Sequence, residues 1–245
     1  MNNDQFHRTR LLLGDAAVDR LRRAAVAVIG LGGVGSYAAE ALARAGVGRL
    51  LLVDADTVDV TNINRQLYAL HTTVGRDKAD VARERIAQIN PAAQVDARPL
   101  FVDADTINTL PLDDSWHVVD AIDTVHAKTC LLRQLHGQGI PCVSSMGAAR
   151  RCDPTRIQSA DIAHTRGCPL AREVRRILRQ DGITSGILCV FSDEPPLPTP
   201  PHDENTPCGG KAPVGSIAHL PGLFGLTAAG HIINSIVGMA RTRNT

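Results

Sequence analysis

Residues 24–42 read AAVAVIGLGGVGSYAAEAL. An apolar run feeds a glycine cluster, and alanine-rich sequence of helical character follows. Few architectures accommodate that order. A buried strand that ends in glycines and re-enters as a helix opens a doubly wound α/β sheet, where backbone N–H groups at the helix start face an anion. Gly30, Gly32 and Gly35 hold the G-x-G-x-x-G spacing, which places a phosphate at this loop. The glycines alone leave its owner open. A dinucleotide and ATP fit them equally, and close helix–strand packing also calls for glycine.

The downstream rhythm extends the same fold. Strand signals occur at RLLLVDAD (49–56), AQVDARPL (93–100), WHVVDAID (116–123) and IPCVSSMG (140–147). Helical patterns separate them, at RDKADVARERIAQIN (76–90) and HAKTCLLRQLHGQG (126–139). This alternation predicts an α/β, Rossmann-like, doubly wound fold with a mainly parallel sheet. Past Gly147 the pattern changes to a C-terminal extension of mixed strands and helices: TRIQSADI, the basic helix PLAREVRRILRQDG, and SGILCVFS. A loop rich in Pro and Gly follows over 193–213, and an apolar helix closes the chain. A single domain over 1–245 is expected, with an N-terminal arm (1–23), a nucleotide-binding core (24–147) and a substrate-side extension (148–245).

The bulk numbers exclude little but do narrow the partners. The chain has 245 residues, 44% of them hydrophobic, with 26 Lys+Arg against 25 Asp+Glu. So balanced a charge gives no global attraction to nucleic acid; no DNA partner is expected, and any RNA must find a local patch. Six cysteines form no C-x-x-C pair, which argues against a zinc ribbon. They read as small buried residues, with Cys208 in the Pro/Gly loop the one to watch for reactivity. No apolar leader is visible, and a cytoplasmic location is expected. The apolar stretch 217–240 carries His219, Pro221, His231 and Asn234, so a core helix is expected there and membrane insertion is not.

ATP and a dinucleotide part company just after the second strand. Asp54 ends it, where an acidic residue binds ribose hydroxyls in either case. Asn62, Asn64, Arg65 and Gln66 then crowd one short polar turn. Hydride transfer requires no such cluster, whereas a triphosphate does: Arg65 can grip oxygens bidentately and the amides can position them. Lys78 follows near a helix start, a mobile point charge for phosphates. Asp120 and Asp123 lie at the C-terminal end of the fourth strand, and one carboxylate there suits Mg²⁺ between phosphates. Asp123 is the better metal candidate and Asp120 the structural one.

GLGGVGS, LLLVDADTV, TNINRQ, VGRDKA and DAIDT occur in this order over residues 6–147. In this the chain resembles the ubiquitin-activating-enzyme-like adenylyltransferases. The resemblance implies that Gly30, Gly32 and Gly33 approach the nucleotide and that Asp54 binds the ribose. Asn62, Asn64, Arg65, Gln66 and Lys78 would serve the phosphates, Asp123 the Mg²⁺, and Thr124 would join the nucleotide set. It further implies a homodimer in which Arg8, or less well Arg10, of the segment FHRTRLLLG reaches the partner's nucleotide.

The second half, with DPTRI, CPLAREVRRILRQ, GILCVFSDEPP and VGSIAHLPG, is similar to the bacterial tRNA threonylcarbamoyladenosine dehydratases within that family. Cys168 departs from the acidic residue expected before Pro169. The implied reaction is ATP-dependent: a threonyl carboxylate on a tRNA adenosine is adenylated, and the neighbouring carbamoyl group closes a ring. Arg150, Arg151, Arg172, Arg175 and Arg176 are candidate tRNA contacts, Arg179 lies on the same helix, and His126 is a candidate substrate neighbour. Two other functions remain open: adenylation of the Gly-Gly tail of a ubiquitin-like sulfur carrier, and a nucleotide-binding scaffold without turnover. Room also remains for a sulfur-transfer protein partner.

Overall fold

The computed structural model describes residues 4–198 and 214–239. Its strands are β1 (Ala25–Ile29), β2 (Arg49–Val53), β3 (Gln94–Arg98), β4 (Trp116–Asp120), β5 (Cys142–Ser145), β6 (Ile157–Asp161) and β7 (Leu188–Ser192). Its helices are α1 (His7–Leu13), α2 (Asp15–Arg23), α3 (Gly35–Ala45), α4 (Lys78–Ile89), α5 (Val125–Gly137), α6 (Pro169–Gln180) and α7 (His219–Val237). The strands form one sheet in the order β3-β2-β1-β4-β5-β7-β6. All pairings are parallel except β6 on β7.

The sheet is parallel because helices cover both faces, and that cover explains the unbroken apolar runs. β1 is buried at all five positions. Val26 and Val28 pack among residues of α3, α4 and α7 on one face. Ala25, Ala27 and Ile29 meet Leu131 and Leu135 of α5 on the other. From β1 the chain winds outward through β2 and β3, then returns to lay β4 on β1's other side. The connections diverge between β1 and β4, which opens a crevice at the carboxyl ends of the strands.

Residues 148–198 extend this same sheet through β6 and β7, and α6 packs Ala171, Val174 and Leu178 on Phe191 and Cys189. α7 is long and apolar enough to cross a membrane by composition. It is instead a core helix, with Leu220, Phe224, Ala228, Ala229 and Ile232 buried against the sheet and α3. Gly225 permits that approach: a Cβ there would stand 3.0 Å from the Ala38 backbone nitrogen.

The expectation of buried cysteines needs correction. Cys168 and Cys189 are buried and Cys130 and Cys142 half-buried, but Cys152 is exposed. Cys152 stands in the loop leading to β6, where its backbone N–H donates to the Glu194 carboxylate and its carbonyl oxygen meets His219 Nε2 at 2.9 Å. Cys208 and residues 199–213 of the long loop lie outside the described residues.

Candidate active site

A cavity of about 420 Å³ occupies the crevice at the ends of β1, β2 and β4. Its floor is the turn after β1. Gly30 adopts φ +90°, and a Cβ there would lie 2.8 Å from the Ala121 carbonyl oxygen, so only glycine lets this turn pass the end of β4. Gly32 and Gly33 line the opening before α3.

Asp54, at the end of β2, accepts hydrogen bonds from the Leu31 N–H (2.6 Å) and the Asp56 N–H (2.9 Å). The first ties the glycine turn to the acidic strand end. Burial pushes the Asp54 carboxyl above its ordinary value, and the charge of Lys78 opposes this. Lys78 opens α4 with its side chain buried; its Nζ donates to Asp56 (2.7 Å) and stands 4.0 Å from Asp54. An ammonium has three protons, so it can keep that partner and still meet a phosphate.

Asn62, Arg65 and Gln66 line the cavity together with Asp54 and Lys78. Asn62 Oδ1 accepts from the Asp59 N–H (3.1 Å), which fixes the turn. Arg65 is braced by the Thr61 carbonyl (2.8 Å) and Asn64 Oδ1 (3.0 Å) through one guanidinium nitrogen, leaving the others for an anion. Asn64 departs from expectation. It does not line the cavity; its Nδ2 donates to the Ser216 carbonyl (3.0 Å), so it braces Arg65 and the approach to α7.

Opposite stand Asp123 and Thr124, between β4 and α5. The exposed Asp123 carboxylate has one protein partner among the described residues, the Thr124 hydroxyl (3.3 Å). No cluster of three metal-ligating side chains occurs among the described residues. A single carboxylate suits a cation held chiefly by phosphates and water, and does not suit a protein-caged metal.

Asp120 has the structural role expected of it, through a partner that sequence reasoning missed. Asp120 and Lys128 are both fully buried and pair at 2.6 Å. The Ser144 hydroxyl donates to the same carboxylate oxygen at 2.6 Å. The other oxygen accepts the Ile122 N–H at 3.1 Å, shaping the turn that presents Asp123. A lysine among apolar helix residues gave no signal of this in the sequence. Leu100, Phe101 and Val102, which wall the cavity after β3, were also missed. The strand-end rule that located Asp54 and Asp123 applies equally to them.

The extension supplies the remaining wall: Met146 to Ala149, Leu170, Val214, Ser216 and Pro221. His126 is exposed and not among the lining residues. Three of the candidate RNA cations are turned to other work. Arg151 is 3% exposed and donates to the carbonyls of Gly147 (2.5 Å), Glu194 (2.9 Å) and Gly167 (3.2 Å). Arg175 is pinned on Thr165 and the Ile162 carbonyl. Arg150 donates through Nε to the Leu197 carbonyl (2.6 Å), and its backbone holds both Leu197 and Gly215. These guanidiniums donate to backbone carbonyls that no strand or helix ladder satisfies. Arg172 and Arg176 remain exposed. On α1, Arg10 pairs with Asp4 and Asp15, while Arg8 is exposed without a side-chain partner among the described residues.

The glycine turn, Asp54, Arg65, Lys78 and Asp123 gather around one crevice at the carboxyl ends of the strands, the place where a doubly wound α/β protein binds a nucleotide. The chain belongs to the ThiF family, whose pattern matches residues 6–245. It is 44% identical over 240 residues to the tRNA threonylcarbamoyladenosine dehydratase of Bacillus subtilis, covering 95% of this chain and 94% of that one. The Escherichia coli tRNA N6-threonylcarbamoyladenosine dehydratase, solved in complex with AMP, superposes with a TM-score of 0.85 at 37% identity, covering 96% of this chain and 94% of that one. The same protein in complex with ATP gives a TM-score of 0.85 at 36% identity, covering 98% and 96%.

Proposed function

We infer that this chain is an enzyme that dehydrates threonylcarbamoyladenosine in tRNA to a cyclic form, at the expense of ATP. The observation that carries the reading is the convergence of Gly32, Asp54, Arg65, Lys78 and Asp123 on one cavity, in a chain similar along nearly its whole length to dehydratases of that name.

In the first step a carboxylate oxygen of the threonyl group attacks the α-phosphorus of ATP. Pyrophosphate leaves and an acyl-adenylate forms. Arg65 and Lys78 hold phosphate oxygens and offset the charge that builds on them. Asp123 would hold Mg²⁺, which when bound neutralises the departing pyrophosphate. In the second step the carbamoyl oxygen of the same nucleotide attacks the acyl carbon, a carbamoyl N–H proton is lost, and AMP leaves. The ring that closes is an oxazolone. The nucleophile belongs to the substrate, so no enzyme thioester enters the sequence of steps. The enzyme acts in the cytoplasm, where its substrate is.

The working unit in this reading is a homodimer. α1 buries none of its residues within the chain, and Leu11 and Leu12 on it are 74% and 81% exposed. Two exposed leucines beside an arginine without a side-chain partner among the described residues suit a second copy, with Arg8 completing the neighbour's site.

Pyrophosphate release, measured side by side with tRNA carrying threonylcarbamoyladenosine and with a carrier protein ending in Gly-Gly, tests the function. Release with the tRNA alone is expected. Release with the carrier alone would make the chain a carrier activator, and nucleotide binding without release would make it a scaffold.

A further inference from the structure

The helix α6 concentrates charge in a way the rest of the chain does not. Residues Pro169–Gln180 contain four arginines and one glutamate, in a chain whose net charge is +1. The four do not act together. Arg175 turns inward onto Thr165. Arg172, Arg176 and Arg179 stay exposed, and their spacing puts them on one face of the helix. Arg176 is matched by Glu173 at 2.7 Å. Arg172 and Arg179 make no hydrogen bond or ion pair with a side chain among the described residues, although the charge of Arg172 also reaches Glu173. The nearby acids are already engaged: Asp181 with Arg133 (2.6 Å), and Asp193 with Arg156 (2.8 Å) and Arg166 (3.3 Å). Arg172 and Arg179 are seven residues apart, about 10 Å along a helix. The row begins at the cavity, since Leu170, in the first turn of α6, is one of its walls.

We propose that the solvent face of α6 is where the RNA backbone docks, with Arg172, Arg176 and Arg179 meeting phosphates next to the nucleotide being modified. The proposal rests on the tRNA reading above and specifies a surface for it. The reacting adenosine must bring its side group to the α-phosphate of ATP, so the flanking nucleotides must cross the cavity rim. The extension forms one side of that rim, and α6 leads away from it. Exposed guanidiniums at about 10 Å spacing, on a helix with four arginines and one glutamate, suit a polyanion that crosses the rim there. They do not suit a neutral protein face.

The test compares the parent, R172A/R176A/R179A, the same three positions changed to Lys, and R23A as an exposed cation elsewhere on the surface. Binding of tRNA carrying threonylcarbamoyladenosine is measured across a salt series, with ATP affinity by calorimetry and pyrophosphate release by steady-state kinetics. The alanine variant is expected to bind tRNA at least tenfold more weakly, and its slope of log affinity on log salt to flatten by about 2, at roughly 0.7–0.9 per lost phosphate contact. KM for tRNA should rise while kcat and ATP affinity stay at parental values. The lysine variant should recover most of the binding, and R23A should match the parent. Unchanged tRNA affinity and salt slope in the alanine variant would overturn the docking surface and leave the tRNA reading intact. An equal loss in R23A would overturn it too, by showing that any surface cation matters. Loss of an acidic protein ligand with unchanged tRNA binding would reassign the face. If the parent itself neither binds the tRNA nor releases pyrophosphate with it, the functional reading fails first, and this inference with it.

Discussion

Lys78 sits between two carboxylates before any nucleotide arrives. Asp56 holds its Nζ at 2.7 Å, and Asp54 lies at 4.0 Å. That arrangement aims a buried side chain, so a phosphate bound as proposed would meet a cation that has already lost its freedom. Arg65 is prepared in the same way by Thr61 and Asn64. Lys78→Ala and Arg65→Ala should each lower ATP–pyrophosphate exchange by at least ~10-fold, since each removes a charge-assisted contact of roughly 1.5–3 kcal/mol. Exchange near the parental rate in folded variants would confine both residues to a structural role. Lys128 makes a different kind of case. Lys128→Met leaves Asp120 in the core without its partner, and stability should drop by about 3–5 kcal/mol in denaturant unfolding. Adding Asp120→Asn should restore much of the loss, because the orphaned charge is then gone; a near-neutral Lys128→Met would refute the buried strut. At this scale the sequence reveals chemistry better than direction. Arg65, Asp54 and Asp123 could be placed because strand ends face the crevice. Arg151 and Arg175 could not, because a guanidinium's aim is set by carbonyls from distant segments, such as Gly167 and Glu194, that no local pattern announces.

Among the elements, β1, β2 and β4 were legible as short apolar runs, and the polar β3 and short β5 by their places in the alternation of strand and helix signals. β6 was legible as a strand in TRIQSADI, but its antiparallel direction was not. Ile157–Asp161 is half-buried throughout and alternates weakly, and its direction depends on the short return past α6 rather than on its own residues. The closeness of α7 to α3 was hidden too, since it hangs on Gly225 in a helix with many small residues. Between α3 and α4 the joint is ionic: Glu40 accepts from Arg44 (2.6 Å) and from Arg85 (3.0 Å). Burial raises the Glu40 carboxyl, but the two guanidiniums more than offset this, and it ends below its ordinary value. A carboxylate depressed by folding contributes stability above its unfolded value of 4.5, and that contribution disappears as pH falls through the lower folded value. Both arginines are half-exposed, so Glu40→Gln should cost only about 1 kcal/mol at pH 7. The gap between parent and variant, followed by urea unfolding from pH 7 to pH 3, should close below about pH 4.5. A gap that stays constant with pH would mean that size and packing, not charge, hold this joint.

For the whole molecule, the question is how many chains make one site. If Arg8 acts across a dimer, Arg8→Ala and Asp123→Ala subunits, each inactive alone, should regain about a quarter of the parental activity once mixed and exchanged, because one site in each mixed dimer is then intact. No recovery despite proven exchange would place Arg8 in its own chain's site or in none. Replacing Leu11 and Leu12 with aspartate should shift the protein to monomer in light scattering; a dimer that persists would move the interface elsewhere.

Pro221 carries a consequence for how this protein comes into being. It stands in the wall of the nucleotide cavity, at the head of the helix that covers the inner flank of α3. A ribosome releases the glycine turn, Asp54, Lys78 and Asp123 well before it reaches that proline. At about 5–20 residues per second, roughly 4–15 s separate the fifth strand from Pro221. During that interval the nascent chain displays an uncovered α3 and an unfinished pocket, a state that invites chaperones more than substrate. A product cut short before α7 keeps the glycine turn, Asp54, Lys78 and Asp123 but lacks the Pro221 wall, and is expected to bind ATP more weakly than the finished polypeptide.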